Sequence, residues 1–156
     1  MKNLVIKSKN CVGCKVCELA CSMYHFKTHK PSLSAIKIIK YDETSRDIPT
    51  VCLHCEDPVC MKVCVVGAIY RDVKTNAVKV DINKCIKCKL CVYCCPYGAI
   101  NFDTELKIPV KCDLCDGEPQ CVKVCPADAI SYEEVNNAIA KVKTKVATEM
   151  LYEEKK

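Results

Sequence analysis

Apolar and polar positions alternate in short stretches along most of the chain. Ala68 to Asp72 reads as a strand, Lys74 to Asn76 as a polar turn, and Val78, Val80 and Ile82 as the returning strand, which together predict a β-hairpin. Asn101 to Thr104 and Leu106 to Val110 repeat the scheme, and Ile36 and Ile38 mark another alternating stretch. From Glu133 the pattern changes. Val135, Ile139, Val142, Val146 and Met150 recur at 4-3-4-4 spacing, the period of an amphipathic helix. Segments such as Val122 to Cys125 are long enough for one helical turn, which does not hold in water without outside support. The elements predict an α+β fold of short strands and short helices, with a body over residues 1–132 and a C-terminal helix over 133–156. No run approaches the ~18 uninterrupted apolar residues of a membrane span.

Composition limits what can hold such small elements together. Of 156 residues 17 are cysteine, and without them the hydrophobic share falls from 50% to about 39%. There is no Trp, and only seven Tyr and two Phe, so large side chains cannot make up the missing buried area. Disulfides are one remedy, usual in exported chains. Met1 to Asn10, however, has no apolar stretch of the signal-peptide kind, and Arg46 and Arg71, the only arginines, form no twin-arginine signal. The expectation is a reducing, cytoplasmic setting, where dense thiols hold metal.

The cysteines fall into four groups. Cys11, Cys14, Cys17 and Cys21 are spaced C-x2-C-x2-C-x3-C, and Cys85, Cys88, Cys91 and Cys95 repeat this and run into Pro96. Both are bacterial ferredoxin runs. Cys52, Cys55, Cys60 and Cys64 read C-x2-C-x4-C-x3-C, while Cys112, Cys115, Cys121 and Cys125 read C-x2-C-x5-C-x3-C and end at Pro126. Sixteen cysteines in four sets of four match the ligand count of four 4Fe–4S clusters, all sixteen serving as iron ligands. Zinc suits separated C-x2-C pairs rather than three consecutive cysteines followed by C-P, so a zinc-structured binding module is the alternative. In two-cluster ferredoxins the last cysteine of a run ligates the neighbouring cluster, so the motifs must work in pairs. Spacing alone leaves open which motif pairs with which.

An internal repeat accompanies the cysteines. Ile48-Pro49-Thr50-Val51-Cys52 parallels Ile108-Pro109-Val110-Lys111-Cys112, and Gly67-Ala68-Ile69, Gly98-Ala99-Ile100 and Asp128-Ala129-Ile130 follow the later motifs. With these residues the stretch from Cys11 to Ile130 resembles the four-cluster polyferredoxin subunits of molybdenum or tungsten oxidoreductases, nickel hydrogenases and carbon monoxide dehydrogenases. The resemblance implies two ferredoxin-like lobes nested in one chain, motif one pairing with motif four and motif two with motif three. It implies ligand sets Cys11, Cys14, Cys17 with Cys125; Cys112, Cys115, Cys121 with Cys21; Cys52, Cys55, Cys60 with Cys95; and Cys85, Cys88, Cys91 with Cys64. It further implies an anaerobic electron-transfer subunit serving a catalytic molybdenum, tungsten or nickel partner and a second electron carrier. Ser22 and Val65 depart from the pattern, standing where proline follows the fourth cysteine elsewhere, and are expected to loosen the local backbone.

Charge and the remaining motifs narrow the function classes. The net charge of +5 suggests nucleic acid. Each cluster with its four thiolates carries −2, however, which brings the loaded chain to about −3 and removes that argument. Lys15, Lys62, Lys84, Lys87, Lys89, Lys111 and Lys123 then read as local compensation. No G-x-G-x-x-G, no G-x4-G-K-S/T, no C-x3-C-x2-C radical motif and no catalytic constellation is present, so the chain reads as an electron carrier and not as an enzyme. Cys94, out of register with Pro96, reads as a small buried thiol, and His25, His29 and His54 as solvent-facing or packing residues. The inserts Glu56-Asp57-Pro58 and Asp116-Gly117-Glu118-Pro119 read as acidic surface loops.

Overall fold

A computed structural model describes residues 2–44, 46–134 and 136. Eight strands form four separate two-stranded antiparallel sheets: β1 (Lys2–Ile6) with β8 (Ile130–Glu134), β2 (Ile36–Tyr41) with β3 (Arg46–Val51), β4 (Ile69–Arg71) with β5 (Val78–Val80), and β6 (Ile100–Asp103) with β7 (Ile108–Lys111). Four α-helices lie among them in the described residues: α1 (Val16–Phe26), α2 (Val59–Lys62), α3 (Leu90–Tyr93) and α4 (Gln120–Lys123). The hairpin expected around Lys74 to Asn76 is found, its returning strand ending at Val80 instead of reaching Ile82. The one around Leu106 pairs Asp103 with Ile108. Both copies of the Ile-Pro repeat are strands, β3 and β7, and each delivers the chain directly to the first cysteine of a motif. Their prolines sit opposite Ile38 and Phe102 in two-stranded sheets, where every strand has a free edge that tolerates a missing N–H.

The helices differ in length for a reason visible in the sequence. α2, α3 and α4 are four residues each and carry the third cysteine of their motifs, so the helical turn starts before the third cysteine and ends before the fourth, α4 running from Gln120 to Lys123 and not from Val122 to Cys125 as the pattern suggested. α1 has 11 residues and carries both Cys17 and Cys21. Proline after Cys95 and Cys125 forbids a continuing helix, whereas Ser22 in the same position continues it, its hydroxyl bonding back to the carbonyl of Leu19 at 3.1 Å. Ser22 therefore lengthens the helix where loosening was expected. Val65 changes little, because Gly67 makes the turn there, donating to the carbonyl of Cys64 at 3.0 Å.

Sequence-distant pieces pack in a definite order. β1 pairs with β8, joining Ile6 to Ile130, α1 packs on α4, and α2 packs on α3. The core uses small aliphatic residues and cysteines, among them Leu4, Cys17, Cys21, Leu33, Ile36, Val51, Val110, Leu114, Cys121 and Ile130. Of the range 133–156 expected to be a helix, Glu133 and Glu134 belong to β8, and apart from residue 136 the rest lies outside the described residues. Among the described residues no helix is long and apolar enough to cross a membrane.

Candidate metal centres

Each motif is shaped by backbone that only a turn residue favours. The residue two places after the first cysteine has positive φ in all four: Gly13 (65°), His54 (49°), Lys87 (61°) and Leu114 (62°). Left-handed backbone at that point turns amide N–H groups back toward sulfur. His54, Lys87 and Leu114 donate to Sγ of Cys52, Cys85 and Cys112 at 3.4, 3.4 and 3.5 Å. A second set of left-handed residues, Gly67, Gly98 and Asp128, follows the fourth cysteines. There the amides of Ala68, Ala99 and Ala129 donate to Sγ of Cys64, Cys95 and Cys125 at 3.2, 3.5 and 3.3 Å. In motif one the chain runs on through α1, and Ala35 supplies the equivalent bond to Cys21 at 3.3 Å.

Four cavities collect the sixteen cysteines. One is lined by Cys11, Cys14, Cys17 and Cys125, and one by Cys21, Cys112, Cys115 and Cys121. A third is lined by Cys52, Cys55, Cys60 and Cys95, and a fourth by Cys64, Cys85, Cys88 and Cys91. The remaining lining is chiefly aliphatic, with Ile38, Ile130, Leu4, Ile36, Val59, Ile100, Ile69 and Leu90 among it. Every cysteine is a free thiol. Cys94 lines none of the four; it is half-buried at the end of α3, its thiol pointing toward the carbonyl of Cys91 at 3.6 Å.

The donor set suits a soft, multinuclear iron centre. Burial pushes the thiols up, Cys17 and Cys121 to about 12 and Cys91 and Cys115 to about 11, and raises Cys60 and Cys112 as well. Thiolates there need compensating positive charge, which metal supplies, and the inward-facing amides accept them without further rearrangement. Cys14 and Cys88 are exposed, so the cavities they line reach the surface.

Several polar residues beside the cavities have partners that the sequence did not supply. His54 is neither solvent-facing nor merely packed. It is 1% exposed, its Nδ1 accepts from the Val78 amide at 3.0 Å, and burial with the nearby charges of Lys111, Arg71 and Lys79 lowers its pKa to about 3. Its Nε2 has no partner among the described residues. Lys111 donates to Cys52 Sγ at 3.1 Å, to the Cys112 carbonyl at 3.4 Å and to the carbonyl of Val78. It therefore stands between motifs two and four. Arg71 reaches the carbonyls of Cys55 and Glu56 at 2.6 and 2.9 Å and braces the motif-two loop. His25 lies 3.4 Å from Asp113 Oδ1 and 3.6 Å from Cys115 Sγ, a grouping of residues 88 and 90 positions apart that no local signal shows. Glu18 is buried beside Cys17 and accepts from the Ile38 amide at 2.6 Å.

Known proteins resemble this chain along most of its length. Residues 44–135 match the family model described as a 4Fe-4S dicluster domain, and residues 8–24 match a 4Fe-4S binding domain. A subunit of the sulfite dehydrogenase of Allochromatium vinosum is 32% identical, over 89% of this chain and 71% of its own. The polyferredoxin-like subunit of an aliphatic sulfonate oxidoreductase from Pyrococcus furiosus is 35% identical, over 78% and 70%. Formate hydrogenlyase subunit 2 of Escherichia coli is 32% identical, over 89% and 84%. Among solved structures, the active site complex BamBC of benzoyl coenzyme A reductase with benzoyl-CoA contains a chain with the same fold, at a TM-score of 0.52 and 22% identity over 97% of each chain.

Proposed function

The chain belongs to the 4Fe-4S dicluster domain family of ferredoxin-like subunits, and from that premise we propose that it is an electron-transfer subunit carrying four 4Fe–4S clusters between a catalytic oxidoreductase subunit and a second redox partner. One observation carries the reading: sixteen cysteines divide among four cavities, four to each, with amide N–H groups turned on their sulfurs. On this reading Cys11, Cys14, Cys17 and Cys125 hold one cluster and Cys21, Cys112, Cys115 and Cys121 its neighbour. Cys52, Cys55, Cys60 and Cys95 hold a third, and Cys64, Cys85, Cys88 and Cys91 a fourth. Each cavity mixes three cysteines of one motif with one from its partner motif, which is the ligand exchange of a two-cluster ferredoxin. The chain is thus two such lobes, motif one with motif four and motif two with motif three, within a body over residues 1–132. When bound, a 4Fe–4S cluster supplies a one-electron couple.

The protein's own part is placement. Lys111 links motifs two and four, bonded to Cys52 Sγ and the Cys112 carbonyl, and the clusters of the exposed Cys14 and Cys88 are taken as the two ends of the series. Electrons enter at one end and leave at the other. The names of its relatives, subunits of sulfite dehydrogenase, aliphatic sulfonate oxidoreductase and formate hydrogenlyase, support an oxidoreductase subunit as the catalytic partner; that this partner carries molybdenum, tungsten or nickel follows from the resemblance of the cysteine frame, and a reducing, cytoplasmic compartment is part of the same reading. Iron, acid-labile sulfide and zinc per chain on anaerobically purified protein test the reading. About sixteen iron and sixteen sulfide are expected. About four zinc without sulfide would replace it with a zinc-structured module. Co-purification with a metalloenzyme subunit tests the partner class, and turnover of substrate by the isolated chain would overturn the carrier role.

A further inference from the structure

The four cavities are alike in cysteine and unlike in charge. Lys111, the last residue of β7, extends its ammonium away from its own motif to Cys52 Sγ in motif two. It is pinned there by the carbonyls of Val78 and Cys112. The residues in the same position before the other motifs, Asn10, Val51 and Lys84, provide no such contact: Val51 is apolar, and Lys84 Nζ is 3.9 Å from Asp81 on the surface. His54 belongs to the same cavity. In motif four its place is taken by Leu114. Because Nδ1 accepts the Val78 amide, the ring proton is on Nε2, and that N–H is buried without a protein acceptor among the described residues. An unsatisfied buried donor is costly, and a sulfur in the cavity is the acceptor that removes the cost. Val78 therefore fixes both side chains, one through its N–H and the other through its C=O. The lining of the motif-one cavity includes the exposed Lys15, and Glu18 is buried beside Cys17.

We propose that Lys111 and His54 raise the reduction potential of the cluster held by Cys52, Cys55, Cys60 and Cys95, making it an electron resting place along the series. The inference rests on the four-cluster reading. One added electron makes a cluster more negative, so an adjacent ammonium and an N–H donor favour the reduced form and lift the potential. Neither Lys111 nor His54 transfers an electron; both are positioning and tuning residues.

The test is a redox titration of the loaded full-length chain, monitored by electron paramagnetic resonance, for wild type, Lys111→Met, Lys111→Arg and His54→Leu. The last copies motif four. Lys111→Met should lower one midpoint by at least a factor of ten in the reduction equilibrium, about 59 mV for one electron. His54→Leu should lower the same midpoint, and Lys111→Arg should keep it near wild type. The component is identified by Cys55→Ser, which should remove or alter that signal. Should Lys111→Met bind less iron than wild type, His54→Leu and Lys111→Arg carry the test under the same criteria. Unmoved midpoints in loaded Lys111→Met and His54→Leu, a Lys111→Arg midpoint that falls as far as that of Lys111→Met, or movement in a component that Cys55→Ser leaves intact, would overturn the assignment. Iron and sulfide content of the wild-type chain separates the two failures: a chain without sulfide sinks the four-cluster reading, whereas a loaded chain with unmoved potentials sinks only this inference.

Discussion

Residues with positive φ do as much in this chain as the cysteines they flank. Gly13 and Gly67 both adopt left-handed backbone, at 65° and 60°, yet their surroundings differ. A Cβ on Gly67 would meet open space, while one on Gly13 would overlap the Asp47 carboxylate. Gly67→Ala should therefore cost about 1 kcal/mol, the backbone penalty alone. Gly13→Ala should cost more, since Asp47, which lies 4.0 Å from Lys40, has to move as well. Chemical denaturation of the loaded protein compares the two, and a Gly13 variant no less stable than the Gly67 variant would contradict the close approach. Part of this was legible. Glycine at 13, 67 and 98 announces turns, and the cysteine spacing announces what the turns surround. His54, Lys87 and Leu114 adopt the same backbone with no sequence signal, because the geometry comes from the motif and not from the residue's own preference.

At the scale of elements, one residue after the fourth cysteine decides between a turn and a helix. Ser22 lies inside α1, so Ser22→Pro removes an intrahelical bond, clashes with the preceding turn and should cost about 3 kcal/mol, with loss of iron bound by motif one. Val65→Pro makes the chain resemble motifs three and four at an exposed turn and should be neutral or stabilising by up to about 1 kcal/mol. Thermal loss of the iron–sulfur absorbance distinguishes them; equal damage from both would refute this account of α1. The hairpins were readable because Ala-Ile and the Val alternation lie in consecutive residues. α1 was not, since its apolar positions are interrupted by ligands and its length follows from an absent proline. The β4–β5 hairpin also has a task beyond its own pairing, for Arg71 holds two carbonyls of the motif-two loop. Arg71→Ala should weaken that loop by roughly 1.5–3 kcal/mol, the range for hydrogen bonds to a charged group, and Arg71→Lys should not restore it, having no fork to span both carbonyls. Iron release to a chelator reads the effect, which should be confined to about a quarter of the iron.

At the scale of the whole molecule, the question is how a chain with so thin a core keeps one fold. The core counts Cys17, Cys21 and Cys121 among its members, and its aliphatic residues are mostly Ile, Val, Leu and Ala. Four two-stranded sheets do not support themselves, so loading and folding should be a single event. The long-range links follow the proposed nesting: β1 on β8 and α1 on α4 bring motif one to motif four, and α2 on α3 brings motif two to motif three. Sequence spacing could not choose this arrangement over sequential pairing, because both satisfy the same motifs; the choice lies in contacts between residues more than a hundred positions apart, such as Ile6 with Ile130. The two arrangements make opposite predictions for single ligands. Under nesting Cys125→Ser alters the same cluster as Cys14→Ser, and Cys64→Ser a different one. Under sequential pairing Cys64 would share a cluster with Cys14. Resolved paramagnetic resonance spectra of the three variants, each expected to lose or convert about one cluster in four, decide between them. A common signature for Cys14→Ser and Cys64→Ser would break the nested lobes and, with them, the order in which Lys111 joins the two inner centres.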